Sequence, residues 1–516
     1  MPNYYIGIGG TGARVAEALV HLCAAGYGPS QLSIFLIDPD QGNGNLGRTA
    51  GLIAHYRKAR EASRDRAPAV PFLRTEIRTP DPFVWSIFRD QNVRLAEHVR
   101  LSNQNPALQD FTRVLFSEQE LDTPLNEGFR GHPNIGAVVL ADPDPTAEPW
   151  KTFWADVENT QQAGGMRVFL AGSIFGGTGA AGIPTLGSPN VIKRHPKAAM
   201  GDRSKVRLGA ALVLPYFTFE SGTANGSQMF VTAADFPIAT KAALHYYQTK
   251  PLAFDDLYLL GDSLGQKVGQ FSPGSRQQEN RPHYIELVGA LAATDFFATS
   301  APPADEPYRF LAARDSRQVG WQDLPATRDA AAVGEQQGLL RRRLTTLAAF
   351  AYAFLDYGLP TLDEKPLDGV PDAWHDAHFY PKKFLGLGRD KTRDPREAKS
   401  REALGYVADY LKRYLAWLAA LDDGPDGVVR LADAERFFDE KGRLRGHEAS
   451  PYAIGGLLKE RAQEKDFTAF LNVLNETHVG GDAMSSADTF VNLFYEAAQR
   501  FAEATYGLAP EPASQP

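Results

Sequence analysis

Cysteine is nearly absent from this 516-residue chain, in which Cys23 is the only one. An intramolecular disulfide is therefore impossible, and a structural zinc site built on Cys and His is not expected. No run of about 18 apolar residues occurs, so no membrane-spanning helix is predicted. The first residues carry neither a basic nor an apolar signal region, and we expect a cytoplasmic protein.

Positive charge is also in deficit, since 54 Lys and Arg stand against 62 Asp and Glu, a net charge of −8. Non-specific duplex binding relies on neutralising phosphates, so we expect no nucleic-acid partner. The signatures of P-loop enzymes, HExxH zinc proteases and nucleophile-elbow hydrolases are missing. The histidines are scattered without metal-ligand spacing, and we predict no resident set of metal ligands.

The first 40 residues carry a strand–turn–helix–strand pattern. Residues 4–8 form a short apolar run, a glycine-rich turn follows, and residues 13–25 have apolar positions at helical spacing. Cys23 lies on the apolar face of this helix, so we expect it to be buried. A second apolar run ends at Asp38. This order predicts a βαβ unit and an α/β fold with a parallel, Rossmann-like sheet.

A second glycine-rich turn occupies residues 176–179, again directly after an apolar run and before a helical pattern. Glycine lets the backbone approach a ligand closely, and the amides and dipole of a helix N-terminus attract anions. Each turn is therefore a candidate phosphate site. The simpler explanation of the first turn is a structural turn without a ligand, and that of the second is close packing of a helix on the sheet.

Taken alone, the first turn fits the dinucleotide pattern Gly-x-Gly-x-x-Gly through Gly7, Gly9 and Gly12, with Asp38 at the end of the next strand. That interpretation predicts an NAD-dependent oxidoreductase in which residues 176–179 have no role. Two such turns, with a third glycine-rich loop at 128–136, favour a triphosphate instead.

Several segments in this order resemble the FtsZ/tubulin superfamily, especially its divergent bacterial tubulin-like members. Residues 175–182 (Phe-Gly-Gly-Thr-Gly-Ala-Ala-Gly) are similar to the tubulin signature, and residues 6–12 to the first FtsZ phosphate loop. Residues 38–41, 128–136, 212–220 and 255–260 resemble further FtsZ loops and strands in the expected order. The resemblance covers about the first 60% of the chain.

The resemblance implies GTP binding, often with Mg²⁺, and head-to-tail self-association. Arg130 and Gly131 would face the terminal phosphate, and Asp38 or Asp40 would contact the ribose or a metal-bound water. Asn280, His283 and Tyr284 are the implied base contacts, with ordinary packing at a helix start as the alternative for the last two. The implied phosphate contacts are Gly9, Gly10, Thr11, Gly12, Gly176, Gly177, Thr178, Gly179 and Ala180.

Hydrolysis in this family uses an acid on the loop after the central helix, which we predict at 282–297. The acids available here are Asp295, Asp305 and Glu306, none of which fits the family pattern cleanly. A second departure is Phe175, which replaces the first signature glycine. We therefore expect nucleotide binding with slow or assembly-dependent GTPase activity, and a non-catalytic nucleotide-binding scaffold is the third interpretation.

Domain organisation follows from the same patterns. We predict a nucleotide-binding domain over 1–300, with a locally basic, mostly helical insertion at about 45–125. A mostly helical domain follows over 301–507, with helices at 335–357, 397–421, 453–475 and 486–505, and 508–516 is predicted to be disordered. The helical domain is a candidate surface for a protein partner.

Overall fold

The computed structural model describes residues 1–40, 42–65, 67, 70–86, 93–125, 129, 132–141, 143–159, 165–189, 191–192, 206–220, 236–262, 266–270, 280–299, 308–313, 318–325, 333–363, 373–379, 394–422, 429–459, 463–480 and 484–508. The predicted disordered tail lies outside these residues from position 509 onward. Within the described part of the chain, no helix is both long and apolar enough to cross a membrane.

The strands belong to one large sheet and a small two-stranded one. Their bounds are β1 Asn3–Ile8, β2 Gln31–Ile37, β3 Glu76–Arg78, β4 Val84–Trp85, β5 Met166–Ser173, β6 Val206–Val213, β7 Phe217–Glu220, β8 Asp256–Gly261, β9 Gln266–Gln270 and β10 Tyr308–Ala313.

The α-helices alternate with the strands in the first part of the chain and dominate the second. Their bounds are α1 Gly9–Ala24, α2 Gly44–Ala62, α3 Leu95–His98, α4 Pro106–Leu115, α5 Glu118–Leu121, α6 Pro133–Leu140, α7 Trp150–Glu158, α8 Gly177–Leu186, α9 Phe236–Thr249, α10 Tyr284–Ala298, α11 Val333–Ala353, α12 Leu359–Thr361, α13 Ala373–Phe379, α14 Ala398–Ala420, α15 Ala434–Phe437, α16 Phe467–Glu476 and α17 Ser486–Tyr506.

Among the described residues, the large sheet has eight strands in the order β10-β8-β6-β5-β1-β2-β3, and β4 also pairs with β2, nearer the carboxyl end of β2 than β3 does. Every pairing in it is parallel. The α/β class with a parallel sheet is therefore confirmed, and the sheet is compatible with a Rossmann-like domain. The strand order reverses at β1, since β2 lies on one side of β1 and β5 on the other. Because all strands are parallel, their carboxyl ends lie at one edge of the sheet.

Alternate residues of β1 enter opposite cores, as the two-residue period of a strand requires. Tyr4, Ile6 and Ile8 pack in one apolar cluster with α6, α7 and α8. Tyr5 packs in the other, with α1, α10 and the C-terminal helices. Both faces of the sheet are thus buried, which explains why its strands read as continuous apolar runs. Cys23 is fully buried in this second cluster, as predicted.

The C-terminal helices form a further layer outside α1 and α2. His21 of α1 lies against Tyr410, Tyr414 and Trp417 of α14, with ring centroids 4.6 Å apart for His21 and Trp417. Burial lowers the pKa of His21 to about 3, so it packs as a neutral ring. The apolar core is continuous from the sheet into this layer.

Several predicted elements differ from the structure. The segment at 45–125 contains the strands β3 and β4, which are too short to show alternation in the sequence. Residues 133–136 begin helix α6 rather than ending a loop. Strand β10 extends the sheet past residue 300. Among the described residues of the predicted helix 453–475, a 3₁₀ turn at 454–456 and residues 467–475 of α16 are helical, whereas the rest are not.

Candidate functional site

The two glycine-rich turns follow the neighbouring strands β1 and β5, at the point where the strand order of the sheet reverses. β1 and β5 are paired in register, and α1 and α8 follow them directly. A β-carbon placed on Gly9 would lie 3.4 Å from the Cβ of Thr178, so the turns touch. In open α/β sheets this crevice at the carboxyl ends of the strands is the usual ligand site.

The first turn has no connecting loop, because α1 begins immediately after β1. Gly9 adopts φ +71°, a left-handed conformation that favours glycine. Ile8 provides no side-chain cap for α1, and the first turn contains no acidic residue. The amides of Gly10, Thr11 and Gly12 therefore have no side-chain acceptor there.

Gly12 has a different reason to be glycine. A β-carbon there would lie 2.5 Å from the carbonyl oxygen of Ala171 on β5, which leaves no room for any side chain. The close packing of helix on sheet and the candidate phosphate site thus both shape this turn.

The second turn repeats the arrangement on β5. Gly176 is the N-cap of α8 in an extended conformation; it supplies no side-chain cap, and the first helical turn carries no acid. The backbone at Gly176, Gly177 and Thr178 is partly exposed, whereas Gly179 is buried against the backbone of Ser173. Ala180 follows in the same helical turn.

Phe175, which replaces the first signature glycine, is buried and packs on Phe217 and Phe236, with ring centroids 5.5 Å and 4.6 Å away. Its aromatic ring fixes the entry to α8, a role that glycine could not fill.

A cluster of amide side chains borders the first turn. The Nδ2 atoms of Asn45 and Asn43 lie 3.3 and 3.4 Å from the position of a β-carbon on Gly10. Asn43 caps α2 by accepting from the amide of Asn45, and Asn45 Oδ1 accepts from the amide of Asn280 at 2.9 Å. The predicted base contact Asn280 is thus brought to the glycine turn through its backbone.

Tyr284, another predicted base contact, is the first residue of α10 and is 5% exposed. Its ring lies 4.7 Å from that of His283, which is also buried and accepts from the amide of Ile285 as the cap of α10. Both side chains are packed in the described structure, as the alternative interpretation of a helix start expects.

A buried ionic network contacts α1 one helical turn after the first glycine turn. Arg14 of α1 donates to Glu286 of α10 and to the hydroxyl of Tyr216, and that hydroxyl donates to Glu286 at 2.6 Å. Arg14 and Glu286 are 3% and 2% exposed. Burial raises the pKa of Tyr216, with the charge of Glu286 acting in the same direction, so the phenol stays a donor. The network holds α1, α10 and the end of β6 together.

A second ion pair extends this network toward the amide cluster. Arg48 donates to both carboxylate oxygens of Glu17, and its Nη1 donates to the carbonyl of Asn280 at 2.8 Å. Sequence inspection missed these residues. The available signal was Arg14 and Glu17 within an otherwise apolar helix, because charges at such positions are buried only when they are paired.

Asp38 lies at the carboxyl end of β2 but is only 4% exposed. Its Oδ1 accepts from the amide of Asp40, and burial raises the pKa of Asp38 to about 8. Because the side chain is buried, it is poorly accessible to a ribose hydroxyl, which weakens the dinucleotide interpretation. Asp40 is partly exposed and accepts from the amide of Gly42.

Of the predicted catalytic acids, the described structure contains Asp295, which is not brought to the two turns. Asp295 lies inside α10, near the opposite end of the helix from His283, and is 6% exposed. Its Oδ2 accepts from the hydroxyl of Tyr258. Asp305 and Glu306 lie outside the described residues, and so do Arg130 and Gly131.

Comparison with models of protein families gave no match, and no curated protein matches the chain. Among the described residues, no group of three or more His, Cys, Asp or Glu side chains is arranged to hold a metal ion.

Proposed function

We propose that this chain is a tubulin/FtsZ-like GTP-binding protein whose nucleotide state controls its self-assembly or its binding to a protein partner. One observation carries the proposal: two helix N-termini without side-chain caps meet on adjacent strands at the reversal point of a parallel sheet. Each presents amides and a positive dipole end to one crevice.

The paired turns favour a polyphosphate over a single pyrophosphate, because each helix start is able to hold its own phosphate group. The amides of Gly10 and Thr11 would bind one, and those of Gly177 and Thr178 the next. The hydroxyls of Thr11 and Thr178 supply further donors. The preference for guanine rests on the family resemblance.

The residues also fit Mg²⁺ as a partner of the nucleotide. Magnesium is commonly held by one or two carboxylates together with phosphate oxygens, without a full cage of protein ligands. Asp40 is the carboxylate suited to this role, since it is partly exposed whereas Asp38 is buried. The ion would neutralise phosphate charge.

Binding is better supported than hydrolysis. Asp295 is buried in its helix and engaged by Tyr258, so it is unsuited to orient water on a neighbouring subunit's nucleotide. GTPase activity, if present, would depend on Asp305 or Glu306. Their removal would leave nucleotide binding intact and abolish turnover, whereas a non-catalytic scaffold would show no turnover to lose.

Calorimetric titration of nucleotide-free protein with GTP, ATP and NAD in the presence of magnesium tests the proposal. The informative variant is Thr178→Asp, with Thr178→Asn as an uncharged control of the same shape. Asp near a helix N-terminus is favourable for the helix itself. Against a phosphate about 4 Å away, repulsion at an effective dielectric of about 20 is roughly 4 kcal/mol, or about a thousandfold in affinity.

We expect GTP to bind the wild type and the Asn variant, and to lose at least a hundredfold in affinity for the Asp variant. NAD binding that the Asp variant retains would contradict the proposal and leave the second turn as packing alone. Sedimentation with and without GTP then tests whether the nucleotide drives self-assembly.

A further inference from the structure

Three consecutive arginines, Arg341, Arg342 and Arg343, lie on α11. Consecutive helical residues point about 100° apart, so they reach different surroundings. The guanidinium of Arg341 lies over the ring of Tyr506, 6.0 Å from its centroid. Arg343 reaches the loop after α1, where its Nη1 is 3.2 Å from the position of a β-carbon on Gly26.

Arg342 lies between them and is 6% exposed. Its Nε and Nη1 atoms are buried and have no hydrogen-bond acceptor in the part of the chain that the structure describes. A buried, permanently charged guanidinium without a counter-charge is costly, because desolvation is not repaid by any attraction. The side chain is therefore built to meet an anion.

Two threonine hydroxyls without a hydrogen-bond partner among the described residues lie at the same end of the helical layer as Arg342. Thr346 follows Arg342 by one helical turn on the same face and is 1% exposed. α17 runs antiparallel to α11, as the pairs Arg341–Tyr506 and Phe350–Tyr495 show, and this places Thr505 level with Arg342. The Oγ1 atoms of Thr346 and Thr505 are buried and lack a partner among the described residues.

This cluster is separate from the candidate nucleotide site. α1 starts at the carboxyl edge of the sheet with Gly9 and ends at Ala24, so Gly26 and Arg343 lie toward the amino edge. The two glycine turns are at the opposite edge.

We propose that Arg342, Thr346 and Thr505 form a binding site for a small tetrahedral oxyanion, phosphate or sulfate, between α11 and α17. The guanidinium supplies the counter-charge, and the threonine hydroxyls donate to the anion oxygens. A bound anion would link α11 and α17 and stabilise the folded chain by mass action.

The test is the melting temperature of the full chain titrated with phosphate and with sulfate, at constant ionic strength set with chloride. It is done in the Thr178→Asp background, in which the nucleotide site rejects phosphate, so the result does not depend on the proposed function. For a chain of this size, Tm should rise by roughly 1 °C for each tenfold increase in anion above its Kd.

The variant is Arg342→Met, which keeps the apolar stem, and the matched control is Arg413→Met, an exposed arginine on α14. We expect the rise in Tm to vanish in Arg342→Met and to persist in Arg413→Met. Arg342→Lys, which keeps the charge, should retain part of the rise and serves if the Met variant fails to fold. Equal anion responses in all variants, or no response in the parent protein, would overturn the proposal.

Discussion

The first prediction concerns the buried ion pair of Arg14 and Glu286 next to the first glycine turn, and how much it contributes to the free energy of unfolding. In Glu286→Ala, Arg14 loses its carboxylate while remaining 3% exposed. The amide of His283, which donates to Glu286 Oε2 at 3.0 Å, also loses its acceptor. Removing one member of a buried ion pair costs about 3–5 kcal/mol, and loss of a helix cap adds about 1 kcal/mol. We expect the free energy of unfolding to fall by about 4–6 kcal/mol.

Urea unfolding followed by circular dichroism measures this change as a lower midpoint. Two further variants separate charge from shape. Glu286→Gln keeps the acceptor for His283 and loses the charge, so it should cost less than the Ala variant. Arg14→Met combined with Glu286→Leu removes both charges and should recover most of the stability, since apolar replacements of buried pairs are often neutral. A cost below about 1 kcal/mol for Glu286→Ala, or a double variant as unstable as both single changes added together, would refute the reasoning.

Two further predictions concern the site. Gly12→Ala should destabilise the protein by at least about 1–3 kcal/mol, because its β-carbon would meet the Ala171 carbonyl. Gly47→Ala on α2, where nothing lies within 4 Å of the added β-carbon, should stabilise it by up to about 1 kcal/mol. Equal urea midpoints for the two variants would contradict this prediction. Burial raises the pKa of Asp38 from about 4 in the unfolded chain to about 8 in the folded protein, so the folded state holds the extra proton between these values. Stability should therefore decline as pH rises from about 4 to about 8, and Asp38→Asn should flatten that decline; an unchanged pH profile would show that Asp38 is ionised when folded.

The sequence predicted the parts of the fold that depend on local pattern. The βαβ unit, the glycine turns at strand ends and the long C-terminal helices α11, α14 and α17 follow from apolar periodicity. β3 and β4 did not, because strands of three and two residues carry no alternation and owe their pairing to β2. The first part of the predicted helix 453–475 was wrong, because the apolar residues of 453–459 meet the core without continuous helical backbone.

The candidate site was predictable only where glycine marks it. Gly9 and Gly179 are visible in the sequence because a positive φ and a close backbone approach need glycine. The Arg14–Glu286 pair was not, because its members are 272 positions apart and meet only after α1 and α10 pack. The burial of Asp38 likewise depends on β4, whose Trp85 carbonyl accepts from the Asp38 amide.

Hydrogen–deuterium exchange of the backbone amides with and without GTP and magnesium tests the central claim most directly. Peptides that cover residues 9–13 and 176–180 report on the two helix starts separately. If both hold phosphates of one nucleotide, GTP will slow exchange in both segments, and Thr178→Asp will abolish both effects together. Protection confined to residues 9–13, whether by GTP or NAD, would contradict a shared triphosphate site.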